Sequence, residues 1–326
     1  MHTLQRLTQF RQAVYHTFTQ RATALLELID AVAQVPRPHS PAELSLGMQR
    51  HWTTLYDAVD NGRIDLDALR PLLAQTAGTV SAYRVANCRV VLLDHTGFPR
   101  RSARTVAERE RYIGPTATRQ LGHRYRWLTQ VVDPASSWLA PLDVERIGPG
   151  DTPVGIALTQ LARLAQSSTE PLIAIADRAY GITDVLRIVP QLPGVAVTML
   201  TRVRSNRVCD QLPPPRRPGQ RGRPRLYGAR VQLNDPTTWP APTWQSEAVL
   251  PTGERVVQQG WDGWVRHGIP HHPVQLVQVL VLRANGQPKY RQPLWLMVVG
   301  WLDWRLVWPL YPRRWRQETF HRQAKA

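Results

Sequence analysis

The chain has 326 residues, 43% of them hydrophobic, enough to bury a sizeable core and form two or three domains, which excludes disorder as the default state. Against 24 acidic residues stand 41 Lys and Arg, for a formal charge of +17 and a pI near 11.0, which point to a polyanionic partner, nucleic acid before membrane. Two cysteines, Cys88 and Cys209, without C-x-x-C spacing exclude a disulfide framework, argue against structural zinc and fit a reduced, cytoplasmic chain.

The opening MHTLQRLTQFRQAVYHTF has neither a signal-peptide core nor a run of ~20 apolar residues, so a soluble, unprocessed protein without a membrane span is expected. Only Lys289 and Lys325 among the basic residues are lysine; the rest are arginine. The planar fork of arginine suits bidentate phosphate contacts, although an arginine-rich codon bias gives the same excess.

Residues 1–85 read as helical, because Val14, Phe18, Ala22, Leu25 and Ile29 recur at steps of three and four and build one apolar stripe. Prolines 36, 38 and 41 end that helix, and shorter helical pieces follow around 42–60 and 65–76, separated by the turn signal Asn61-Gly62. The period then changes. In NCRVVLLD, residues 88–93 form a short apolar run expected as a buried central strand that ends at Asp94, where a carboxylate is costly unless it is paired or holds a cation. Taken alone, an aspartate at a strand end is more often a turn or helix-cap residue. Residues 95–112 read as a basic loop and 119–145 as two further strands. Thr152-Pro153 opens a helix that runs to about Gln166.

PLIAIA (171–176) is the second continuous apolar run, and Asp177 stands at its end. Strand, helix, strand in succession makes parallel pairing the expectation, with Asp94 and Asp177 at the same carboxyl edge of one sheet. A helix from about Thr183 and a strand over 195–203 follow. Between Arg202 and Arg230 nine arginines accompany one acid, Asp210, and Pro/Gly interruptions prevent a core, which leaves a phosphate-binding arm or a disordered connector. Arg216, Arg217, Arg221 and Arg223 are its candidate DNA contacts. From Arg230, short runs separated by Pro and Gly read as antiparallel strands containing Trp239, Trp244, Trp261 and Trp264, as core or as stacking platforms. His267, His271 and His272 lack the partners of a metal site and read as solvated.

The chain closes with YPRRWRQETFHRQAKA, in which Tyr311, Arg314, Glu318 and Lys325 are spaced to share one face of a helix. This Y-x2-R-x3-E-x6-K spacing resembles the signature of a group of DDE transposases from bacterial insertion sequences. The resemblance implies an α/β architecture: an RNase H-like mixed sheet flanked by helices, with an N-terminal helical domain (1–85), a first part of the catalytic core (86–204), an Arg-rich arm and β-rich insertion (205–290), and a last core strand and Glu-bearing helix (291–326). It further implies that Asp94, Asp177 and Glu318 form a catalytic triad holding two Mg2+ or Mn2+ ions, as hard carboxylates prefer. Tyr311, Arg314 and Lys325 would contact DNA phosphates, an insertion tryptophan would stack a flipped base, and the amino-terminal helices would grip the terminal inverted repeats; a helical cap packed on the core without DNA contact is the alternative for those helices. The expected partners are those repeats and a double-stranded target, with a homodimer in the DNA complex. A nuclease without strand transfer and a non-catalytic DNA-binding remnant are the alternatives. In the family the Glu-bearing helix continues past this point, so the expectation is a truncated, weakly active or inactive transposase.

Overall fold

In a computed structural model the chain divides into two compact units, residues 1–81 with 323–326 and residues 82–322. The structure describes every residue except 1, 37, 39, 82, 104, 115–117, 182, 220 and 326, and of 2 and 323–325 the backbone alone.

The first unit contains α1 (His2–Tyr15), β1 (Phe18–Gln20), α2 (Ala22–Gln34), α3 (Pro41–Gly47), α4 (Thr54–Asn61), β2 (Arg63–Ile64) and α5 (Leu66–Val80). Serine and aspartate begin two of these helices: Ser40 accepts from the Glu43 amide, and Asp65 from those of Asp67 and Ala68. The single stripe expected across residues 14–29 is interrupted. Arg21 sits in the left-handed region at φ 54°, and β1 pairs with β2, so the helix stops at Tyr15 and restarts at Ala22. Val14, Phe18 and Leu25 still meet in one small core with Ala58, whereas Ile29 is 47% exposed.

The second unit is built on one mixed sheet, with 13 strands among the described residues. Its elements are β3 (Arg84–Val85), β4 (Cys88–Pro99), β5 (Glu110–Ile113), β6 (Arg119–Val131), β7 (Leu139–Ile147), α6 (Pro153–Ser167), β8 (Leu172–Ala176), α7 (Thr183–Ile188), β9 (Val197–Val203), β10 (Val208–Gln211), β11 (Arg230–Gln232), β12 (Trp244–Val249), β13 (Arg255–Arg266), β14 (Ile269–Leu282), β15 (Leu294–Val299), α8 (Trp304–Leu310) and α9 (Trp315–Lys325). The central strands run in the order β7-β6-β4-β8-β9. β6 is antiparallel to both of its neighbours, while β4, β8 and β9 are mutually parallel. That is the RNase H-like order implied by the resemblance, and α6 enters it as read, with Thr152 capping the Gly155 amide at 3.0 Å.

The β-rich stretch after residue 205 continues this sheet. β15 returns antiparallel onto β9, and β14, β13, β10 and β11 extend the order outward. Val90 and Leu92 of β4 and Ile173 and Ile175 of β8 share a buried cluster with Leu296 and Val298 of β15 and with Val307, Trp308 and Leu310 of α8. No helix among the described residues is long and apolar enough to cross a membrane.

Candidate active site at the Asp94–Asp177 edge

The register of β4 on β8 runs from Arg89↔Leu172 to Leu93↔Ala176. The next residues on the two parallel strands are Asp94 and Asp177, so the two carboxylates emerge side by side where the pairing ends. β4 does not end there, as the apolar run had suggested. It continues to Pro99 against β6, from Asp94↔Trp127 to Pro99↔Gly122, because β6 outruns β8 and supplies the ladder partners. At the same level the chain of β8 turns away, and the Asp177 carboxylate caps the turn by accepting from the Ala179 amide at 2.9 Å.

Two further groups hold this edge from below. Arg126 is fully buried, donates to the backbone carbonyls of Asp94 and Trp127, and lies over the Tyr180 ring at 5.1 Å. Thr201 of β9 donates to the Asp177 carbonyl. The Asp94 side chain is 15% exposed and accepts from the His95 amide at 2.9 Å. Burial first, and repulsion from Asp177 second, push its pKa up to about 6, against the weaker effects of the His95 amide hydrogen bond, Arg126 and Arg314.

The carboxyl-terminal residues do not form one helix. Pro309 and Pro312 lack the N–H that a helix interior requires, so α8 gives way to a 3-10 turn over Tyr311–Arg314 before α9 starts at Trp315. Tyr311, Arg314, Glu318 and Lys325 therefore do not share one continuous α-helical face, which corrects the expectation drawn from their spacing. Tyr311 is buried in the core at 2% exposure, and burial raises its pKa. Glu318 is 53% exposed and pairs with Arg314 at 3.4 Å. The side chain of Lys325 lies outside the described residues.

The face of α9 against the sheet carries other residues. Gln317 accepts from Thr129 Oγ1 at 2.6 Å, Phe320 packs edge-on to Trp127, and His321 places Nδ1 3.7 Å from Asp94 Oδ2. Asp94 and Asp177 are thus brought together with His321 beside them, while the Glu318 side chain is turned to Arg314. The sequence reading missed Arg126, Gln317 and His321. The i, i+4 spacing of Gln317 and His321 around Phe320 was the available signal for the helix, whereas nothing in the β6 sequence marked Arg126.

Arg216, Arg217, Arg221 and Arg223 are exposed on the irregular segment between β10 and β11. Trp261 and Trp264 are each 2% exposed, and Trp261 stacks on Trp295 at 5.5 Å, so these two rings belong to the core.

Among the described residues no group of three His, Cys, Asp or Glu side chains stands close enough to hold a metal ion. The aspartate pair does suit one as a donor set: two hard oxygen ligands, desolvated and mutually repelling, are what a divalent cation neutralises.

Two aspartates at the central carboxyl edge of an RNase H-like mixed sheet define the class of fold. The family profile described as DDE superfamily endonuclease matches residues 13–263, and the chain belongs to that family. Asp94 and Asp177 fall inside the matched residues; Glu318 lies beyond them. The chain is also similar to a piggyBac transposase solved in a synaptic complex with hairpin DNA, with 10% identity and a TM-score of 0.43 over 92% of this chain and 57% of that one. It therefore spans a little over half the length of that transposase. No curated protein matches the chain.

Proposed function

We propose that the chain is a transposase that cuts and joins DNA at the terminal inverted repeats of an insertion sequence by metal-dependent phosphoryl transfer. The observation that carries this reading is the pair Asp94 and Asp177, set side by side on adjacent parallel strands in a member of the DDE superfamily endonuclease family. In this reading the two aspartates hold Mg2+ or Mn2+, and Glu318 completes the site as the third carboxylate. Two bound ions would supply an activated water or DNA 3′-hydroxyl and charge stabilisation for the leaving oxygen.

The chain's own groups have separate tasks. Arg126 and Thr201 fix the backbone that carries the aspartates, and α9 positions its carboxylate through the Gln317–Thr129 hydrogen bond. Arg314 serves the DNA phosphate, and its release from Glu318 on DNA binding frees the carboxylate to turn inward. Lys325 supports the same phosphates, the buried Tyr311 acts on them only through its hydrogen bond with Arg314, and Arg216, Arg217, Arg221 and Arg223 add contacts without sequence preference. The protein acts in the cytoplasm as a homodimer on paired repeats.

Incubating the protein with Mg2+, a duplex carrying the element's terminal repeat and a supercoiled target tests this. Nicking and strand joining are expected. Nicking without joining favours a stand-alone nuclease, and binding without either favours a non-catalytic DNA-binding protein.

A further inference from the structure

Between β10 and β11 the arginine arm leaves the sheet and returns to it at nearly the same point. The Gln211 amide donates to the Ala229 carbonyl at 2.9 Å, the Gly228 amide to the Gln211 carbonyl at 2.8 Å, and the Leu212 amide to the Gly263 carbonyl at 3.2 Å. Tyr227 holds the returning limb: its ring stacks on His267 at 4.7 Å, and its hydroxyl accepts from the Gly268 amide at 2.8 Å. The acids at this base are engaged there, Asp210 with Arg230 and His267, and Asp262 with Gln275.

Residues 213–226, between these ties, include five arginines and five prolines but no acid and no aromatic ring. Stacking on bases is therefore not open to the arm. Its described residues form neither helix nor strand, and proline, which has no N–H, keeps the two limbs from pairing as a β-ribbon. The returning limb reads Arg221-Gly222-Arg223-Pro224-Arg225. Gly222 sits at φ 95°, a conformation that suits glycine, while a Cβ built there would meet nothing within 4 Å. Backbone conformation, not packing, therefore calls for glycine here, and Arg216 fixes it by donating to the Gly222 carbonyl at 3.0 Å. Arg221, Arg223 and Arg225 are exposed, and among the described residues none of the three forms an ion pair.

A chain one residue thick, with arginines before and after a bare glycine, fits a narrow groove better than a wide one. The DNA minor groove is about 6 Å across, whereas the major groove has room for a helix or a ribbon. A·T tracts narrow the minor groove and deepen the negative potential that draws in arginine, and the N2 amine of guanine obstructs it at G·C pairs. We propose that Arg221–Arg225 inserts into the DNA minor groove at A·T-rich tracts; DNA as the partner rests on the proposed function. The charge of the arm acts on any duplex, and the fit to the groove adds a preference for A·T to that pull.

The test is an anisotropy titration of the full chain, over a salt series, against three labelled duplexes of equal length: an A·T tract, a G·C duplex and an inosine·C duplex. Inosine·C presents the major groove of G·C but lacks the N2 amine, so its minor groove resembles that of A·T. Wild type is expected to bind the A·T and inosine·C duplexes about tenfold more tightly than G·C. Arg221→Ala combined with Arg223→Ala should lose that preference and part of the slope of log K against log salt. Both side chains are exposed and outside the core, so the variant keeps the fold. Equal affinity of wild type for all three duplexes, or a preference that survives in the variant, overturns the minor-groove assignment and leaves the proposed function standing. Inosine·C bound as weakly as G·C places the readout in the major groove and overturns the assignment as well. Failure of wild type to bind any duplex overturns the proposed function, and this inference with it.

Discussion

Asp94 is a carboxylate held mostly out of water beside a second carboxylate, an arrangement that works against the metal-free fold. Its folded pKa of about 6 lies above the ordinary aspartate value, so the folded state binds the proton more tightly than the unfolded state. Stability from this group is therefore present at low pH and lost as pH rises from about 4 to about 6. At pH 7 in EDTA, Asp94→Asn should raise the melting temperature, because it removes a penalty on the order of 3 kcal/mol; a scanning-calorimetry trace with no rise contradicts the assignment of a buried, repelled carboxylate at Asp94. The same titration would govern the proposed cation. Mn2+ affinity, followed by calorimetry, should increase through pH 6 as Asp94 ionises and level off above it, and a flat profile between pH 5 and 7.5 would place the ion elsewhere.

At the scale of elements, α9 is held by a few side-chain contacts. Gln317 is fully buried and reaches Thr129, so Gln317→Ala leaves the Thr129 hydroxyl unpaired and should lower stability by about 1 to 3 kcal/mol in a urea melt. An unchanged midpoint would mean that α9 docks through its rings alone. The arm between β10 and β11 has its own signature. Replacing Arg216, Arg217, Arg221 and Arg223 with alanine should flatten log K against log salt by roughly 0.9 for each phosphate that the arm no longer neutralises, and an unaltered slope would make the segment a connector.

The elements that the sequence made legible are those whose side chains all answer to one environment. The runs before Asp94 and Asp177 are buried on both faces, so residue type alone marked them as central parallel strands and set the order of the two acids. Where pairing depends on a distant strand the sequence was mute: β6 prolongs β4 to Pro99, and nothing in HTGFP announces it. The break at Arg21 was hidden because the apolar spacing of Val14, Phe18 and Leu25 survives across it, and Pro312 was passed over in favour of the spacing around it. His321 and Gln317 were overlooked because the charged residues of the signature drew attention to another face of the helix.

For the whole molecule, sheet continuity from β11 through β9 to β5 ties the inserted strands mechanically to the aspartate edge. A formal charge of +17 on the chain favours a polyanionic partner. Asp94 and Asp177 together are what would make this basic molecule an enzyme on DNA. Cleavage of a terminal-repeat duplex in Mg2+ by wild type, Asp94→Asn and Asp177→Asn, with duplex binding measured in the same samples, tests that claim most directly. Cleavage by wild type alone, abolished by EDTA, with binding kept in all three proteins, is the predicted result; cleavage that persists in either variant contradicts it.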